Sequence, residues 1–165
     1  MKFMLKLEKM MNKEGVNMHW HSKTFEELTN DELYNILKAR VDVFVVEQAC
    51  PYEEVDNYDQ KAIHYFAEKD GSIAALVRIL PKHTTYDEVA IGRVLVTKAF
   101  RGQGLAREIM NRAIAFVAEE WNEHTIKIQA QTYLQAFYES LGFEKISAVY
   151  EEDHIPHIDM ILHIK

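Results

Sequence analysis

A single stretch of the sequence, from residue 89 to residue 130, constrains the fold of this chain more than any other. It reads as a strand, a loop with two glycines, a long amphipathic helix and a second strand. The helix is indicated by apolar residues that recur three or four positions apart. They are Leu105, Ile109, Met110, Ala113, Ile114, Val117 and Trp121. A strand, a helix and a strand in this order predict a domain in which the helix packs against a sheet.

Most of the remaining chain also favours β-strands. Runs of apolar and β-branched residues predict strands at 19–25, 62–68, 73–80, 89–96, 125–130, 143–150 and 157–164. Asp70 and Gly71 lie between the second and third strands and predict a hairpin, because both residue types tolerate a positive φ. Gly92 interrupts the fourth strand and predicts a bulge there. Because strands outnumber helices and alternate with them only in the second half, we expect an α/β fold with a mixed sheet and helices on its faces.

Two more helices are predicted from the residues that begin them. Thr29 and Glu32 have the spacing of a capping box, in which each side chain bonds the backbone N–H of the other residue. The apolar spacing after them predicts a helix that ends near Gln48. Thr132 and Gln135 have the same spacing and predict a second capping box at a short helix.

Length and charge limit the domain organisation and the partners. The 165 residues contain no repeat, low-complexity tract or Pro/Gly-rich linker. We therefore predict one domain over 18–165, with 1–17 as an N-terminal extension and Met18 as the natural start. We read no export signal and no run of the roughly 18 apolar residues that cross a bilayer, so we expect a cytoplasmic protein without a membrane partner. The net charge of −7 argues against nucleic acid as a partner.

The sequence offers little for disulfide or metal chemistry. Cys50 is the one cysteine of the chain, which excludes an intrachain disulfide or a cysteine-rich metal site. His19 and His21 lie close in sequence, as do His154 and His157, but no cysteine pair or His-Glu-x-x-His helix accompanies them. We therefore predict no metal site.

The loop between the fourth strand and the long helix carries the strongest local signal for ligand binding. Its residues are Arg101, Gly102, Gln103, Gly104, Leu105 and Ala106. Glycines let backbone N–H groups converge on an anion, and the helix N-terminus adds its dipole, so the loop suits a phosphate or diphosphate. A tight turn that needs small residues explains the loop equally well. The dinucleotide fingerprint fails at Arg107, and the Gly-Lys-Ser/Thr of a P-loop is absent.

Further residues stand in a fixed order around this loop. Val94, Leu95 and Val96 precede Arg101-x-x-Gly104-x-Ala106, and one helix and one strand later follow Phe137, Tyr138, Leu141, Gly142 and Phe143. This order resembles that of the GNAT N-acetyltransferases. Other segments resemble the ElaA subgroup of that family, namely 43–48, 50–52, 91–93, 150–153 and 155–157. The resemblance covers nearly everything from Met18 onward.

The resemblance implies a fold, a cosubstrate and an acceptor. The fold is the GNAT acyl-CoA N-acyltransferase fold, with a central, mostly antiparallel sheet flanked by helices. The cosubstrate is acetyl-CoA, with its pantetheine paired to the backbone of 94–96 and its pyrophosphate on the amides of 101–106. Gln131 stands where the family usually has Asn, near the acyl end. The implied acceptor is a primary amine.

The resemblance also implies a proton donor and leaves the proton acceptor open. Tyr138 matches a tyrosine that lies near the coenzyme sulfur in relatives and can protonate the departing thiolate. A packing role on an apolar helix face is the alternative for Tyr138. Some relatives carry a Glu on the fourth or fifth strand, but 89–96 and 125–130 contain no carboxylate. Glu47 and His64 are the candidate general bases, and for each a structural hydrogen bond is the alternative.

Three functions remain open on the sequence alone. The first is an N-acetyltransferase in which the amine attacks the thioester directly within a ternary complex. The second is a non-catalytic module of the same fold that binds or senses acyl-CoA, which the missing strand carboxylate favours. The third is an interaction domain whose acidic loop at 53–59 docks basic partners, although such loops are more often simply solvated. Whether the protein forms a homodimer is left open.

Overall fold

The computed structural model describes residues 18–165, and the predicted extension at 1–17 lies outside the described residues. The strands are β1 (His19–Thr24), β2 (Ile63–Lys69), β3 (Ser72–Leu80), β4 (Val89–Val96), β5 (Thr125–Gln131), β6 (Glu144–Lys145), β7 (Tyr150–Glu152) and β8 (Ile155–His163). The α-helices are α1 (Asn30–Arg40), α2 (Leu105–Glu119) and α3 (Gln135–Glu139). A π-helical segment (Val41–Glu47) continues α1, and short 3-10 turns span Asp59–Lys61, Lys98–Phe100 and Thr132–Leu134.

The strands form one mixed sheet in the order β1-β2-β3-β4-β5-β8-β6, with β7 also paired to β8. Within residues 18–165, β4 and β5 are parallel and all other pairs are antiparallel. The predicted mixed, mostly antiparallel sheet is therefore confirmed. The hairpin between β2 and β3 is confirmed as well, with φ values of 50° at Asp70 and 75° at Gly71.

The short parallel pair of β4 and β5 creates an opening in the sheet. Pairing is limited to Val89 with Ile126 and Ala90 with Lys127. β4 nevertheless continues to Val96 and β5 to Gln131. Beyond Ala90, the two strands therefore present backbone N–H and C=O groups to each other without pairing. Unpaired strand edges of this kind bind extended ligands through main-chain hydrogen bonds.

A β-bulge in β4 lies beside this opening. The register between β3 and β4 shifts between Leu76 and Arg78, opposite the predicted position at Gly92. The bulge is thus confirmed, but the residue with left-handed backbone is Arg93, with φ of 54°. A bulge bends a strand and redirects its side chains. Here the Arg93 Nε lies 2.8 Å from the Glu54 Oε1, which ties the bulge to the loop before β2.

The first predicted helix forms with its capping box. The Glu32 N–H donates to the Thr29 Oγ1 at 3.1 Å, and the Thr29 N–H donates to the Glu32 Oε2 at 2.9 Å. The α-helical winding ends at Arg40, and the helical run continues as the π-helix to Glu47, close to the predicted end at Gln48. π-Helical segments are rare and recur at functional sites.

Two local predictions in the second half are wrong. Thr132 and Gln135 form no capping box, because Thr132 lies inside a 3-10 turn and α3 begins without a side-chain cap. The strand predicted at 143–150 is broken: only Glu144–Lys145 and its last residue, Tyr150, which begins β7, are in strands. Between these two strands, the Ser147 Oγ accepts the Asp159 N–H of β8 at 2.8 Å, so a side chain takes the place of a strand partner.

The two long helices pack on opposite faces of the sheet. α2 buries its predicted apolar face, including Ile109, Met110 and Val117, which are completely shielded from solvent. α1 buries Ile36 against Phe66 of β2 and its neighbours on the other face. Among the described residues, the helices all fall short of the length and apolar character that a membrane span requires.

Candidate active site

A cleft of about 870 Å³ opens where β4 and β5 separate. Its lining includes the loop before α2, the loop at 50–56 and the turn that joins β7 to β8. The structure brings most of the predicted site residues together in its wall: Glu47, Val94, Leu95, Val96, Arg101, Gly102, Gly104, Leu105, Ala106, Gln131 and Tyr138. Gln103 lies within the same loop, whereas His64 lies outside the cleft.

The glycine loop has the backbone that the sequence suggests for an anion site. Gly102 and Gly104 have φ values of 76° and 79°, in the left-handed region that favours glycine. Gly104 is the N-cap of α2 and brings no side chain to the cap, so the first-turn amides of the helix lack intrahelical partners. A Cβ at either glycine would meet nothing within 4 Å, so the space above the loop is open. The loop can therefore accept an anion from the cleft.

Arg101 is held by the protein itself. Its guanidinium makes a two-bond ion pair with Glu47, with Nη1 to Oε1 at 2.6 Å and Nη2 to Oε2 at 2.9 Å. Its Nε donates to the Val96 carbonyl at 3.0 Å. The hydrogen bonds and charge of Arg101 lower the pKa of the Glu47 carboxyl. Glu47 is consequently an ionised partner that fastens the glycine loop to the end of the π-helix.

Tyr138 packs on neighbouring aromatic rings and also lines the cleft. Its ring contacts Phe137 and Phe143 edge-on, with ring centroids 5.1 Å and 5.9 Å apart. Burial raises the pKa of the Tyr138 phenol to about 12. The phenol is therefore protonated throughout the neutral range, as a proton donor must be.

His64 lies behind the cleft wall, on β2. Its side chain is buried, and Nε2 lies 3.0 Å from the Asp59 carbonyl oxygen. Because a carbonyl can only accept, Nε2 carries the proton in this contact. Burial lowers the pKa of His64 below its ordinary value. These observations describe a neutral histidine in a structural hydrogen bond.

In the acidic loop at 53–59, Glu54, Asp56 and Asp59 are folded into a cluster of ion pairs, whereas Glu53 is exposed. We call this the Arg–carboxylate cluster; its members are Arg40, Glu54, Asp56, Asp59, Arg78 and Arg93. Arg40 is fully buried and donates to Glu54 Oε1 at 2.5 Å, to Asp59 Oδ1 at 2.6 Å and to the Glu54 carbonyl at 2.9 Å. The cluster fixes the loop against the sheet.

The cleft-facing side of this cluster is formed by Asp56, Arg78 and Arg93. Arg78 donates to both Asp56 carboxylate oxygens at 2.7 Å. Although burial alone raises the pKa of Asp56, the bonds and charge of Arg78 leave it lowered overall. The Tyr52 hydroxyl donates to Glu54 and brings a phenol ring to the same wall.

Sequence reasoning missed this cluster because its partners are far apart in the chain. Arg40 and Glu54 are 14 residues apart, and Glu54 and Arg93 are 39 apart. A signal was nevertheless present: Arg78 interrupts an otherwise apolar strand, and a charged residue in such a strand requires a buried partner.

Polar side chains from β5, β7 and β8 line the other wall. Gln131 donates to the Gln48 Oε1 at 3.1 Å and so bridges β5 to the segment after the π-helix. His157 of β8 is paired opposite Gln131 in the sheet and also lines the cleft. Its Nδ1 lies 2.7 Å from the Ile155 carbonyl oxygen. Gln48 and His157 were not among the predicted site residues.

Comparison with known proteins agrees with this geometry. Residues 10–164 match the model of the acetyltransferase (GNAT) domain family. The chain belongs to the GNAT acetyltransferase family. It is 37% identical over 145 residues to protein ElaA of Escherichia coli K12, covering 87% of this chain and 95% of ElaA. The predicted resemblance to the GNAT family and its ElaA subgroup is thereby confirmed.

Solved structures of GNAT proteins share the fold. A crystal structure of an acyl-CoA N-acyltransferase from Pseudomonas aeruginosa matches with a TM-score of 0.85 at 41% identity, over 88% of this chain and 99% of that one. The crystal structure of Escherichia coli ElaA matches with a TM-score of 0.83 at 36% identity, over the same shares, 88% and 99%. The chain therefore belongs to a family of acyl-CoA-dependent acyltransferases, and its fold is one that binds acyl-CoA as cosubstrate.

The residues present fit such a cosubstrate. The unpaired edges of β4 and β5 can take up the amide groups of an extended pantetheine arm. The open backbone at Gly102 and Gly104 can take up a diphosphate at the N-terminus of α2. Both features line the same cleft.

Proposed function

We propose that this protein transfers an acetyl group from acetyl-CoA to a primary amine by direct attack within a ternary complex. The observation that carries the proposal is the continuity of the cleft. One cavity is lined by the glycine loop, by Tyr138, and by polar side chains from 50–56 and 152–157, which form its polar end. Two substrates can therefore meet inside it without a covalent intermediate on the protein.

The backbone supplies most of the binding of the cosubstrate in this proposal. The main chain of Val94, Leu95 and Val96 pairs with the pantetheine arm, and the amides of 101–106 bind the pyrophosphate. The ion pair between Arg101 and Glu47 holds that loop in place, and the amide of Gln131 lies toward the acyl end. Bound acetyl-CoA supplies an acetyl group activated as a thioester.

Tyr138 is the proton donor. A phenol that remains protonated at neutral pH can protonate the thiolate that leaves when the carbon–sulfur bond breaks. Its ring is fixed between Phe137 and Phe143, so the hydroxyl is held in one position without the entropy cost of ordering it.

Glu47 and His64 have supporting roles in this proposal. The Glu47 carboxylate is occupied by Arg101, and the His64 ring is buried away from the cleft. We therefore assign to Glu47 the fastening of the glycine loop, and to His64 a hydrogen bond that supports the loop at Asp59.

The polar end of the cleft favours a positively charged acceptor. Glu53, Glu152 and Asp153 line it, and the basic groups there, Arg78 and Arg93, are already paired with carboxylates. An ammonium group is attracted to such a surface before it loses a proton. A primary amine that is charged in water is accordingly the acceptor class.

The test measures cosubstrate binding and turnover separately. Calorimetry with acetyl-CoA gives the affinity, and release of free thiol in the presence of putrescine, benzylamine or lysine gives the rate. Binding followed by thiol release that depends on the amine supports the proposal. Binding without release for every amine favours the sensing module, which the absence of a carboxylate from β4 and β5 also suggests. Hexanoyl-CoA in place of acetyl-CoA tests the choice of acyl group.

A further inference from the structure

Several polar side chains of β5, β7 and β8 have no role in the proposed function, which lacks a proton acceptor. Strand pairing places Gln131 opposite His157, Gln129 opposite Asp159, and Tyr150 opposite His157. Directly opposed residues of an antiparallel pair project to the same face of the sheet. These side chains therefore form one polar row across β5, β8 and β7, and part of that row lines the cleft.

Most members of the row are already committed to hydrogen bonds. Asp159 accepts from the Tyr150 hydroxyl at 2.6 Å and from Lys127 Nζ at 3.1 Å. Glu152 accepts from the Gln129 amide. Burial and the bond to Asp159 raise the pKa of Tyr150, so its phenol remains protonated. Amide side chains cannot take up a proton at neutral pH.

Among the described residues of the row, His157 differs because one of its ring nitrogens has no hydrogen-bond partner in that part of the chain. Its Nδ1 lies 2.7 Å from the Ile155 carbonyl oxygen, which can only accept, so Nδ1 carries the proton of the neutral ring. That assignment leaves Nε2 as an unprotonated acceptor. Within residues 18–165, Nε2 makes no hydrogen bond, and the ring is steadied by stacking on Tyr150 with centroids 6.3 Å apart.

We propose that His157 Nε2 is the general base that takes a proton from the ammonium group of the acceptor. The inference rests on the proposed function and extends it. Imidazole is the side-chain group that exchanges protons near neutral pH, whereas exposed carboxylates bind protons only in acid. The charged and titratable groups beside His157 are Asp159 of its own strand, Lys127 of β5, and Tyr150 and Glu152 of β7. Tyr86, Glu53 and Asp153 line the same cleft.

The proton balance of the reaction follows from these two groups. His157 takes one proton from the ammonium, and the neutral amine forms the carbon–nitrogen bond as the carbon–sulfur bond breaks. Tyr138 donates its proton to the departing thiolate and recovers one from the new amide nitrogen. The imidazolium of His157 returns its proton to solvent. The products are the N-acetyl amine, coenzyme A as the free thiol and one released proton.

The test compares the wild type with His157→Asn. An Asn side chain can still donate to the Ile155 carbonyl but has no group in place of Nε2. His154→Asn is the control, because His154 lies in the adjacent turn, outside the cleft wall. With putrescine or benzylamine, His157→Asn is expected to lower kcat/KM at pH 7 by about 100-fold or more. The deficit is expected to shrink toward pH 10 as the amine loses its own proton, while acetyl-CoA affinity is unchanged.

A second readout is independent of turnover. Long-range proton–nitrogen NMR of the imidazole rings identifies which nitrogen of neutral His157 is protonated. A proton on Nδ1 supports the proposal, and a proton on Nε2 overturns it. Wild-type activity that His157→Asn leaves unchanged in rate and pH profile also overturns it, and leaves the proposed function intact. No thiol release by the wild type with any of these amines overturns the proposed function and the role of His157 with it.

Discussion

Ion pairs of individual buried residues hold one wall of the cleft in place. Arg40 has no exposed surface and gives hydrogen bonds to Glu54 and Asp59 from three nitrogen atoms. Ions of this kind leave water at a cost, and close partners with good geometry must offset it. Because Glu54 also accepts from Arg93 in the β4 bulge, loss of one member leaves several buried charges incompletely paired.

The Arg40→Ala change is expected to lower the free energy of unfolding by about 3–5 kcal/mol, because Glu54 and Asp59 would lose their shared partner inside the protein. Urea unfolding followed by circular dichroism measures this. Lys38→Ala is the matched control, since it removes the exposed partner of Asp42 in a pair at the protein surface. A loss in Arg40→Ala no greater than in the control would contradict the structural role of the cluster.

Tyr138→Phe is expected to lower kcat by about 100-fold or more and to leave acetyl-CoA affinity nearly unchanged, because only the proton donor is removed and the ring still packs. Thiol-release kinetics and calorimetry provide the two values. Tyr34→Phe alters an exposed tyrosine on α1 and serves as the control. Unchanged kcat in Tyr138→Phe would refute the donor role.

His64→Gln is expected to leave acetyl transfer unchanged and to alter the pH dependence of stability. Burial lowers the pKa of His64 in the folded protein below its unfolded value of about 6.5. The stability that neutral His64 contributes is therefore complete above about pH 6.5 and is lost as the pH falls through the folded pKa. The wild type should lose stability below about pH 6.5, and His64→Gln should lose less.

Urea unfolding from pH 7.5 to pH 5 gives this difference, with His83→Gln as the control at an exposed histidine. Identical pH dependence in the wild type and His64→Gln would show that His64 is not responsible. A large fall in acetyl transfer would restore His64 as a candidate for the general base.

At the scale of secondary structure, patterns that depend on near neighbours were predicted well. The hairpin at Asp70 and Gly71, the capping box at Thr29, and the apolar face of α2 each follow from residues within one or two turns of chain. The early end of the β4–β5 pairing depends on how two distant strands diverge, which no local pattern records. Most of the glycine-loop end of the site was therefore predicted, whereas the Arg–carboxylate cluster and the cleft position of His157 were not.

Substitutions at Gly104 and Gly71 distinguish the role of the glycine loop in binding from its role in folding. Both have positive φ and open space around a Cβ, but Gly71 lies in the β2–β3 hairpin and Gly104 at the start of α2. Gly104→Ala and Gly71→Ala should each cost about 1–2 kcal/mol of stability, because both place an L-residue in left-handed backbone.

Gly104→Ala alone is expected to weaken acetyl-CoA binding, by about 10-fold or more, because a side chain and any shift of the loop disturb the amides that bind the pyrophosphate. Urea unfolding and calorimetry on both variants measure the two effects. Equal affinities in the two variants would contradict a binding role for the loop.

At the scale of the whole molecule, the short pairing of β4 with β5 creates the cleft. The sheet is continuous from β1 to β6, yet β4 and β5 pair at only one end, and α2, α3 and the π-helix close the space that they leave. The same geometry exposes strand edges, a helix N-terminus and a buried phenol to one cavity. In the proposed function, a single feature of the topology thus serves both the binding of a long cosubstrate and its reaction with a second substrate.

A crystal structure of this protein grown with coenzyme A tests that claim most directly. We expect the pantetheine arm between β4 and β5, and the pyrophosphate within hydrogen-bonding distance of the backbone amides of 101–106. Coenzyme A bound at another surface, with the space between β4 and β5 empty, would contradict the assignment of this cleft as the active site.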